Sequence, residues 1–174
     1  MIDLAVLDTA AAGRWTASYT RVPFKSRGRD RAGADCWGLA RLAYRDELGL
    51  DLPKFDDGYT DAREIEIVAA LIRGRKADLP MVRVLPDRDP ARGAHRGDGY
   101  ARLAAPRLRP FDLLEIKRMG ELCHIGVWAG GGDFLHTEAG RGAGLSGLFE
   151  KDWARRLMAV WRHQDVIART GWTV

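Results

Sequence analysis

The stretch DCWGL at residues 35–39 places a thiol at the start of a predicted helix. Apolar residues follow Cys36 at helical spacing and Gly49 then acts as a stop, which predicts a helix over 36–48 with Asp35 as N-cap. Free N–H groups and the helix dipole favour negative charge there, so they favour a thiolate and could bind an oxyanion. A buried structural cysteine is the alternative, and Cys36 taken alone favours it.

Two histidines lie on consecutive predicted strands, at 122–129 and 133–139, with glycines between them. Side chains alternate between the faces of a strand, so each histidine lies on a defined face. If His124 and His136 share a face, one imidazole can take a thiol proton while the second orients the first. The alternative is a half-buried polar pair without chemistry.

The length of the turn decides which of these interpretations is possible. Pairing of Trp128 with Gly132 leaves a three-residue loop and sets the two imidazoles directly opposite each other. A two-residue loop of Gly130 and Gly131 would turn His136 to the other face. The catalytic interpretation therefore predicts the odd-length loop, with Gly126 leaving space for the cysteine helix.

The elements that must position these residues fall into two groups along the chain. Periodicity and capping signals predict helices first and strands afterwards. The helices are predicted at 8–19, 36–48 and 61–73, and the strands at 111–116, 122–129, 133–139 and 156–163. This order predicts an α+β fold, with N-terminal helices packed on a central antiparallel β-sheet.

The domain organisation is predicted to be a single domain over 1–174, a usual size for one core. Within it, residues 1–17 are a possible docking arm. Residues 87–109 read as an arginine-rich insert loop, because the span from Arg83 to Arg109 holds seven arginines against three aspartates without periodicity.

Composition excludes several classes of protein. The net charge of +4 and pI of about 9.3 suit an anionic partner, but no nucleic-acid motif accompanies them, so we expect no nucleic-acid partner. No apolar run approaches a membrane span. The first residues lack the basic start of a secretory signal, so Sec export is not expected. Two cysteines without paired ligand spacing predict neither a zinc site nor a disulfide framework, and we expect no metal or cofactor.

Three motifs in this order resemble the NlpC/P60 cysteine peptidases: DCWGL at 35–39, HIGVW at 124–128 and FLHTE at 134–138. The surrounding sequence is most similar to the branch found in bacteriophage tails and gene-transfer agents. The resemblance implies a papain-like fold and cleavage of amide bonds in the peptide stems of peptidoglycan. It also implies other phage tail proteins as partners and a place in the virion tail or tail tip, acting at the bacterial wall.

The same resemblance assigns roles to residues. Cys36 matches the nucleophile, His124 the base and His136 the orienting residue, while Asp35 caps the helix and the Cys36 N–H contributes to the oxyanion site. Phe24, Trp37 and Trp128 are candidates for substrate binding.

Three positions depart from the family pattern. Trp37 stands where serine is common, and Phe24 replaces a tyrosine, which removes a hydroxyl. The Pro-Gly-Asp turn before the first strand reads Pro110-Phe111-Asp112, so a glycine is lost.

The remaining candidate residues have structural interpretations. His95 lies in a polar loop and is predicted to be solvated, and His163 is predicted to be structural. Cys123 is adjacent to His124 in sequence, so it is predicted to be a core residue on the opposite sheet face. Two rival functions stay open: a catalytically silent tail structural or assembly protein, and an amidase that acts at the sugar–peptide junction.

Overall fold

The computed structural model describes residues 15–54, 79–89, 91–150 and 152–174. The helix predicted at 61–73 lies outside these residues, as does most of the helix predicted at 8–19. The part of the latter that is described, Trp15–Ser18, is a 3₁₀ helix.

An antiparallel β-sheet of six strands forms the centre of the protein, beside a separate two-stranded ribbon. The ribbon consists of β1 (Arg29–Asp30) and β2 (Gly33–Ala34). The bounds of the sheet strands are Met81–Arg83 (β3), Leu113–Arg118 (β4), Glu121–Gly130 (β5), Asp133–Glu138 (β6), Gly142–Gly147 (β7) and Leu157–His163 (β8). Their spatial order is β3-β8-β4-β5-β6-β7, which puts β5 in the interior of the sheet.

Four α-helices surround this sheet in the described residues. They are α1 (Cys36–Ala43), α2 (Gly99–Ala104), α3 (Trp153–Arg156) and α4 (Gln164–Thr170). Helix α1 continues as a π-helical turn, Tyr44–Leu48, and ends at Gly49, whose φ of 65° is left-handed. The predicted helix over 36–48 and its glycine stop are therefore confirmed.

The two faces of the sheet are covered by different helices. On one face, Ile125 and Val127 of β5 pack with the apolar side of α1. On the other face, Phe134 of β6 packs with Tyr100 of α2 and Trp153 of α3. The predicted α+β fold is confirmed, with α1 on the central antiparallel sheet.

The second helical layer was not predicted from the sequence. Helix α2 lies inside the segment 87–109, which was interpreted as a loop, and its residues Tyr100, Ala101 and Ala104 are almost fully buried. The helix is short and lies among arginines, so its apolar stripe gives too little periodic signal to be recognised.

The β5–β6 hairpin differs from both turns considered from the sequence. Gly130 pairs with Asp133, which leaves a two-residue turn of Gly131 and Gly132, and a β-bulge then shifts the register before Trp128 pairs with Phe134. The predicted Trp128–Gly132 pair is therefore wrong. The bulge adds one residue to one strand and so offsets the even number of residues in the turn. The side chains of His124 and His136 therefore still lie on the same face of the sheet.

Strands β5 and β6 separate beyond this hairpin. Among the described residues, their pairing ends at Val127 and Leu135, although β5 runs back to Glu121 and β6 runs on to Glu138. Over this stretch β5 stays paired with β4, and β6 with β7. The sheet thus opens at the level of His124 and His136.

Glycine permits a close contact at Gly38 in α1, where a glycine otherwise costs about 1 kcal/mol relative to alanine. A Cβ at this position would lie 2.0 Å from the carbonyl oxygen of Gly28, so the approaching group is the loop before β1. Gly126 has a different role from the one predicted. It makes room for the ring of Phe134 on its own face, at 2.5 Å from an added Cβ, rather than for the cysteine helix.

We expect Gly38→Ala to destabilise the protein by about 2 kcal/mol, because a main-chain carbonyl must move to admit the methyl group. Urea denaturation followed by circular dichroism measures this change. Gly93→Ala is the matched control, since a Cβ at Gly93 would meet nothing within 4 Å. Equal stability of the two variants would contradict the close contact.

Two further histidines lie outside the sheet opening. His95 was predicted to be solvated, which is wrong: it is 8% exposed, and its Nδ1 accepts a hydrogen bond from the Asp89 N–H. Contact with the ring of Tyr100 explains its burial. His163 caps α4 by accepting from the Asp165 N–H, which agrees with its predicted structural role.

None of the helices in the described residues is both long and apolar enough to cross a bilayer.

Candidate active site

The thiol of Cys36 lies at the first residue of α1, against the part of β5 that β6 no longer pairs. Its Sγ is 4.0 Å from the carbonyl oxygen of Cys123, and the N–H groups of Ile125 and Trp37 also point at the sulfur. Cys123 and Ile125 flank His124 in sequence, so the thiol meets the main chain on both sides of the histidine.

Asp35 fixes the start of this helix. Its Oδ1 accepts from the Gly38 N–H at 2.7 Å and from Arg29 Nη1 at 2.7 Å, while Oδ2 accepts from the Arg27 N–H at 3.1 Å. The carboxylate is 1% exposed. The predicted N-cap is thus confirmed, and the same side chain also ties the helix to the loop before β1 and to β1 itself.

The pKa of the Cys36 thiol is raised, although the start of a helix was expected to favour the thiolate. Burial of the sulfur raises the pKa of the Cys36 thiol to about 12, and the negative charge of Asp35 acts in the same direction. The N–H groups of Ile125 and Trp37 oppose this shift. The resting thiol is therefore protonated at neutral pH.

We expect iodoacetamide to alkylate Cys36 in the folded protein at least about 100-fold more slowly at pH 7 than in urea, because the thiolate fraction is so small. The rate should rise about tenfold per pH unit well above pH 9. A Cys123→Ser background isolates the signal, which mass spectrometry measures. A rate that is already maximal near pH 7 would instead indicate a thiolate–imidazolium pair.

The two histidines form a hydrogen-bonded pair across the opening between β5 and β6. Nε2 of His124 lies 3.1 Å from Nδ1 of His136, and Nε2 of His136 lies 2.9 Å from Oγ of Ser146 on β7. Both imidazoles are buried, and their planes are perpendicular to each other. The structure therefore brings His124 and His136 together as predicted, although through a different hairpin register.

Aromatic rings enclose this pair. Trp153 of α3 stacks on His124 with ring centroids 5.9 Å apart, and its edge meets His136 at 4.9 Å. Burial lowers the pKa of His124 to about 3, and the neighbouring His136 and Arg118 act in the same direction. His124 is therefore a neutral imidazole at pH 7, able to accept a proton.

The thiol contacts the main chain of β5 from α1, whereas the two imidazoles contact Trp153 of α3, so the main chain beside His124 is what the thiol and the imidazole pair share. Among the described residues, the hydrogen bond of the thiol goes to the Cys123 carbonyl and not to an imidazole. The contact between the histidines uses Nε2 of His124, so Nδ1 is the other nitrogen of that ring.

The three residues predicted to bind substrate lie in different surroundings. Phe24 is half-buried and bridges to Ala34. Trp37 is also half-buried, and its Nε1 donates to the Pro53 carbonyl at 2.9 Å. Trp128 lies in the core on the face of α2 and α3 and is 7% exposed, so it does not line an open cleft.

Two residues of the site were missed by the sequence interpretation. Ser146 lies on β7, whose sequence GAGLSG is too rich in glycine to be recognised as a strand. Trp153 contacts both imidazoles from α3, a helix of four residues that is too short to give a periodic signal. A turn after Glu138 followed by a pairing strand would have been the available signal for Ser146.

A basic groove of about 460 Å³ opens beside the turn between β4 and β5. Four cations contribute to its walls, together with Met119 and Gly120: Lys117, Arg118, Arg155 and Arg156. Asp152 partly neutralises the two α3 arginines, and Glu138 lies 3.6 Å from Arg118. Glu138 is two residues from His136 on the same face of β6, so its contact with Arg118 places the groove near the histidine pair.

In the described part of the chain, no cluster of three or more His, Cys, Asp or Glu side chains could hold a metal ion.

Comparison with known proteins places this geometry in context. The sequence model of the NlpC/P60 family matches residues 21–162. No curated protein sequence matches the chain. The fold is similar to that of the NlpC/P60 domain of the peptidoglycan hydrolase SagA, with 19% identity over 88% of this chain and 98% of that chain, and a TM-score of 0.50.

Two other solved structures are similar. An NlpC/P60 family protein from Bacillus cereus ATCC 10987 is 17% identical with a TM-score of 0.53; the match covers 92% of this chain but only 42% of that protein. RipD from Mycobacterium tuberculosis, described as a non-catalytic NlpC/P60 domain protein adapted to peptidoglycan binding, is 18% identical over 88% of this chain and 95% of that chain, with a TM-score of 0.45. At these identities the likeness concerns the fold.

Proposed function

The chain belongs to the NlpC/P60 family of peptidoglycan hydrolases, and from this premise we propose that it is a cysteine hydrolase that cleaves amide bonds in peptidoglycan peptide stems. The observation that carries the proposal is the 3.1 Å contact between Nε2 of His124 and Nδ1 of His136, beside the main chain that the Cys36 thiol contacts. A nucleophile, a base and a group that orients the base are the minimum for thiol-dependent acyl transfer.

In the proposed reaction, Sγ of Cys36 attacks the carbonyl carbon of the scissile amide while Nδ1 of His124 takes the thiol proton. The N–H of Cys36 at the start of α1 donates to the oxyanion. His124 then gives the proton to the leaving amine as the C–N bond breaks, which leaves a thioester. A water molecule, deprotonated by His124, releases the carboxylate product and restores the thiol.

The resting protonation states fit this sequence of steps. At pH 7 the thiol and His124 are both neutral, because burial raises the pKa of the former to about 12 and lowers that of the latter to about 3. The proton therefore moves during the attack rather than before it. This distinguishes the site from one that rests as a thiolate–imidazolium pair.

The charge beside the site supports an anionic substrate. Peptide stems carry free carboxylates, and the groove with Lys117, Arg118, Arg155 and Arg156 presents opposite charge next to the histidine pair. The net charge of +4 agrees with this.

A catalytically silent protein that retains the fold is the second candidate. It is favoured by one observation: the thiol bonds to the Cys123 carbonyl and not to an imidazole. A silent protein would still bind wall fragments through the basic groove.

Release of peptides from purified sacculi separates these functions. The proposal expects soluble fragments with a new amine and a new carboxylate, identified by mass spectrometry. Product masses that show cleavage between the sugar and the peptide would replace the endopeptidase by an amidase. Binding to sacculi without any release would support the silent protein.

We also propose that the protein acts as part of a bacteriophage-type tail, with other tail proteins as partners. Support comes from the sequence alone, in the similarity of DCWGL and its surroundings to that branch of the family. Residues 1–17 and 87–109 are the proposed docking segments. Detection of the protein in purified tail particles by mass spectrometry tests the location, and its absence from every particle fraction would remove it.

A further inference from the structure

A hydroxyl group lies at the outer end of the histidine pair. Oγ of Ser146 is 2.9 Å from Nε2 of His136, while Nδ1 of His136 is 3.1 Å from Nε2 of His124. We propose that Ser146 is a positioning residue, which accepts a hydrogen bond from His136 and thereby fixes the proton positions on both imidazoles. This role rests on the hydrolase function proposed above and adds a fourth member to its site.

The direction of the hydrogen bonds determines whether His124 can act as a base. To take the thiol proton, His124 must have a bare Nδ1 and therefore carries its proton on Nε2. Nε2–H then donates to Nδ1 of His136, which must be bare as well. His136 consequently carries its proton on Nε2, and that N–H needs an acceptor, which Oγ of Ser146 supplies.

The reverse direction would disable the site. If the Ser146 hydroxyl donated to Nε2 of His136, then His136 would carry its proton on Nδ1 and donate to Nε2 of His124. His124 would then hold its proton on Nδ1 and could not accept the thiol proton there. A neutral imidazole has only one N–H, so the two directions exclude each other.

The sheet holds Ser146 in place for this role. Strand β7 pairs with β6 from Asp133↔Gly147 to Glu138↔Gly142 without a register shift. Within this ladder Ser146 pairs with Phe134 and Gly144 pairs with His136, so Ser146 is the diagonal neighbour of His136 on the same face. A regular ladder fixes the hydroxyl more firmly than a loop would, because its position follows from main-chain pairing.

Proton transfer to His124 strengthens the hydrogen bonds that link His124, His136 and Ser146. When His124 becomes an imidazolium, its Nε2–H becomes a stronger donor to His136, which in turn strengthens the bond from His136 to Ser146. Removal of the hydroxyl leaves the buried Nε2–H of His136 without this acceptor just when the charge forms. The effect should therefore fall on kcat rather than on KM.

Three variants test the role of Ser146. We expect Ser146→Ala to lower kcat for peptide release about tenfold with KM changed less than about twofold, as for the loss of one hydrogen bond. Ser146→Thr keeps a hydroxyl and should recover most of the activity. Ser18→Ala is the matched control, because it removes a hydroxyl that donates to the Trp15 carbonyl outside the site, and it should behave as wild type.

Nitrogen-15 NMR of the imidazoles gives a readout that does not depend on turnover. The chain has four histidines, so the ring signals can be assigned by single substitutions. In the wild type at pH 7 we expect His124 and His136 both to be protonated at Nε2. In Ser146→Ala we expect part of the His136 population to move its proton to Nδ1, which a merely structural role of Ser146 would not produce.

The outcomes separate this role from the hydrolase itself. If His136 of the wild type is protonated at Nδ1, Ser146 does not have the proposed role. The same holds if Ser146→Ala has the kcat of the wild type and unchanged histidine tautomers. A wild type that releases no peptide would remove the hydrolase instead, and the tautomers would still decide whether Ser146 sets the direction of the hydrogen bonds.

Discussion

Replacement of Cys36 by alanine is expected to lower peptide release from purified sacculi by about 10⁴-fold or more, because it removes the sulfur atom that forms the thioester in the proposed reaction. Chromatography of the released peptides, followed by mass spectrometry, measures the rate. The melting temperature should change little, since Cys36 is half-buried and the hydrogen bond that its Sγ donates to the Cys123 carbonyl is weak, at 4.0 Å.

Cys123→Ala is the matched control for this prediction. It makes the same substitution at the other cysteine, whose Sγ interacts with the Arg118 carbonyl rather than with the site. We expect it to retain activity. Equal activity of the two alanine variants would exclude Cys36 as the nucleophile, whereas no peptide release by the wild type or either variant would leave the silent protein as the function.

The double variant of Cys36 and His124 adds a mechanistic test. If His124 acts only by moving the proton of the thiol, then Cys36→Ala combined with His124→Ala should be no less active than Cys36→Ala alone. Additive losses would show that His124 has a separate role. Because His124 also contacts Trp153, circular dichroism of each variant must first confirm the fold.

The cysteine helix could be predicted from the sequence because its signals are local. Asp35 accepts from the N–H of Gly38, and Gly49 adopts the left-handed conformation that ends the turn. Each signal lies within a few residues of the element that it delimits. The strands that carry His124 and His136 were recognised for the same reason, since alternation is visible in a short window.

The register of the histidine hairpin could not be predicted, because three successive glycines allow several turns. Gly130, Gly131 and Gly132 all have positive φ, and a bulge lies next to them. The histidines share a face only because the bulge offsets the even-length turn. A one-residue change in either feature would separate them.

The neutral resting state could not be predicted either, because it results from tertiary burial. A thiol at a helix start suggested an easily formed thiolate, yet burial and Asp35 raise its pKa. The residues that enclose His124 come from α3 and from Arg118, distant in sequence or on another strand. Residue type and spacing identified Cys36 and His124 as candidates, but their protonation states depend on the residues packed around them.

The burial of a charged pair whose two residues are far apart in the chain could not be predicted from the sequence either. Arg162 would be assigned to the surface by composition, but it is 1% exposed and binds Asp112, which is 0% exposed. Nε and Nη2 of the arginine donate to the two carboxylate oxygens at 2.7 and 2.8 Å. The remaining donors reach the carbonyls of Arg107 and Thr173, so the pair joins the start of β4, the end of β8 and the C-terminal residues.

Breaking this pair should have the largest effect on stability of any substitution considered. We expect Arg162→Met to lower the free energy of unfolding by about 3–5 kcal/mol, because it leaves the buried carboxylate of Asp112 without its counter-charge. Urea denaturation with linear extrapolation measures the change. Arg102→Met, which removes an exposed arginine at 2.7 Å from Asp98, is the matched control and should lower the free energy of unfolding far less, because water screens this pair.

A double variant determines how much of that loss comes from the unpaired charge. Asp112→Leu combined with Arg162→Met removes both charges, so it should be more stable than Arg162→Met alone. The carbonyls of Arg107 and Thr173 lose their donor equally in the two variants. If Arg162→Met lowered the free energy of unfolding no more than Arg102→Met does, the Asp112–Arg162 pair would be exposed to water rather than buried. If the double variant were the less stable one, the hydrogen bond that Asp112 Oδ2 accepts from the Arg109 N–H at 2.8 Å would outweigh the cost of the unpaired carboxylate.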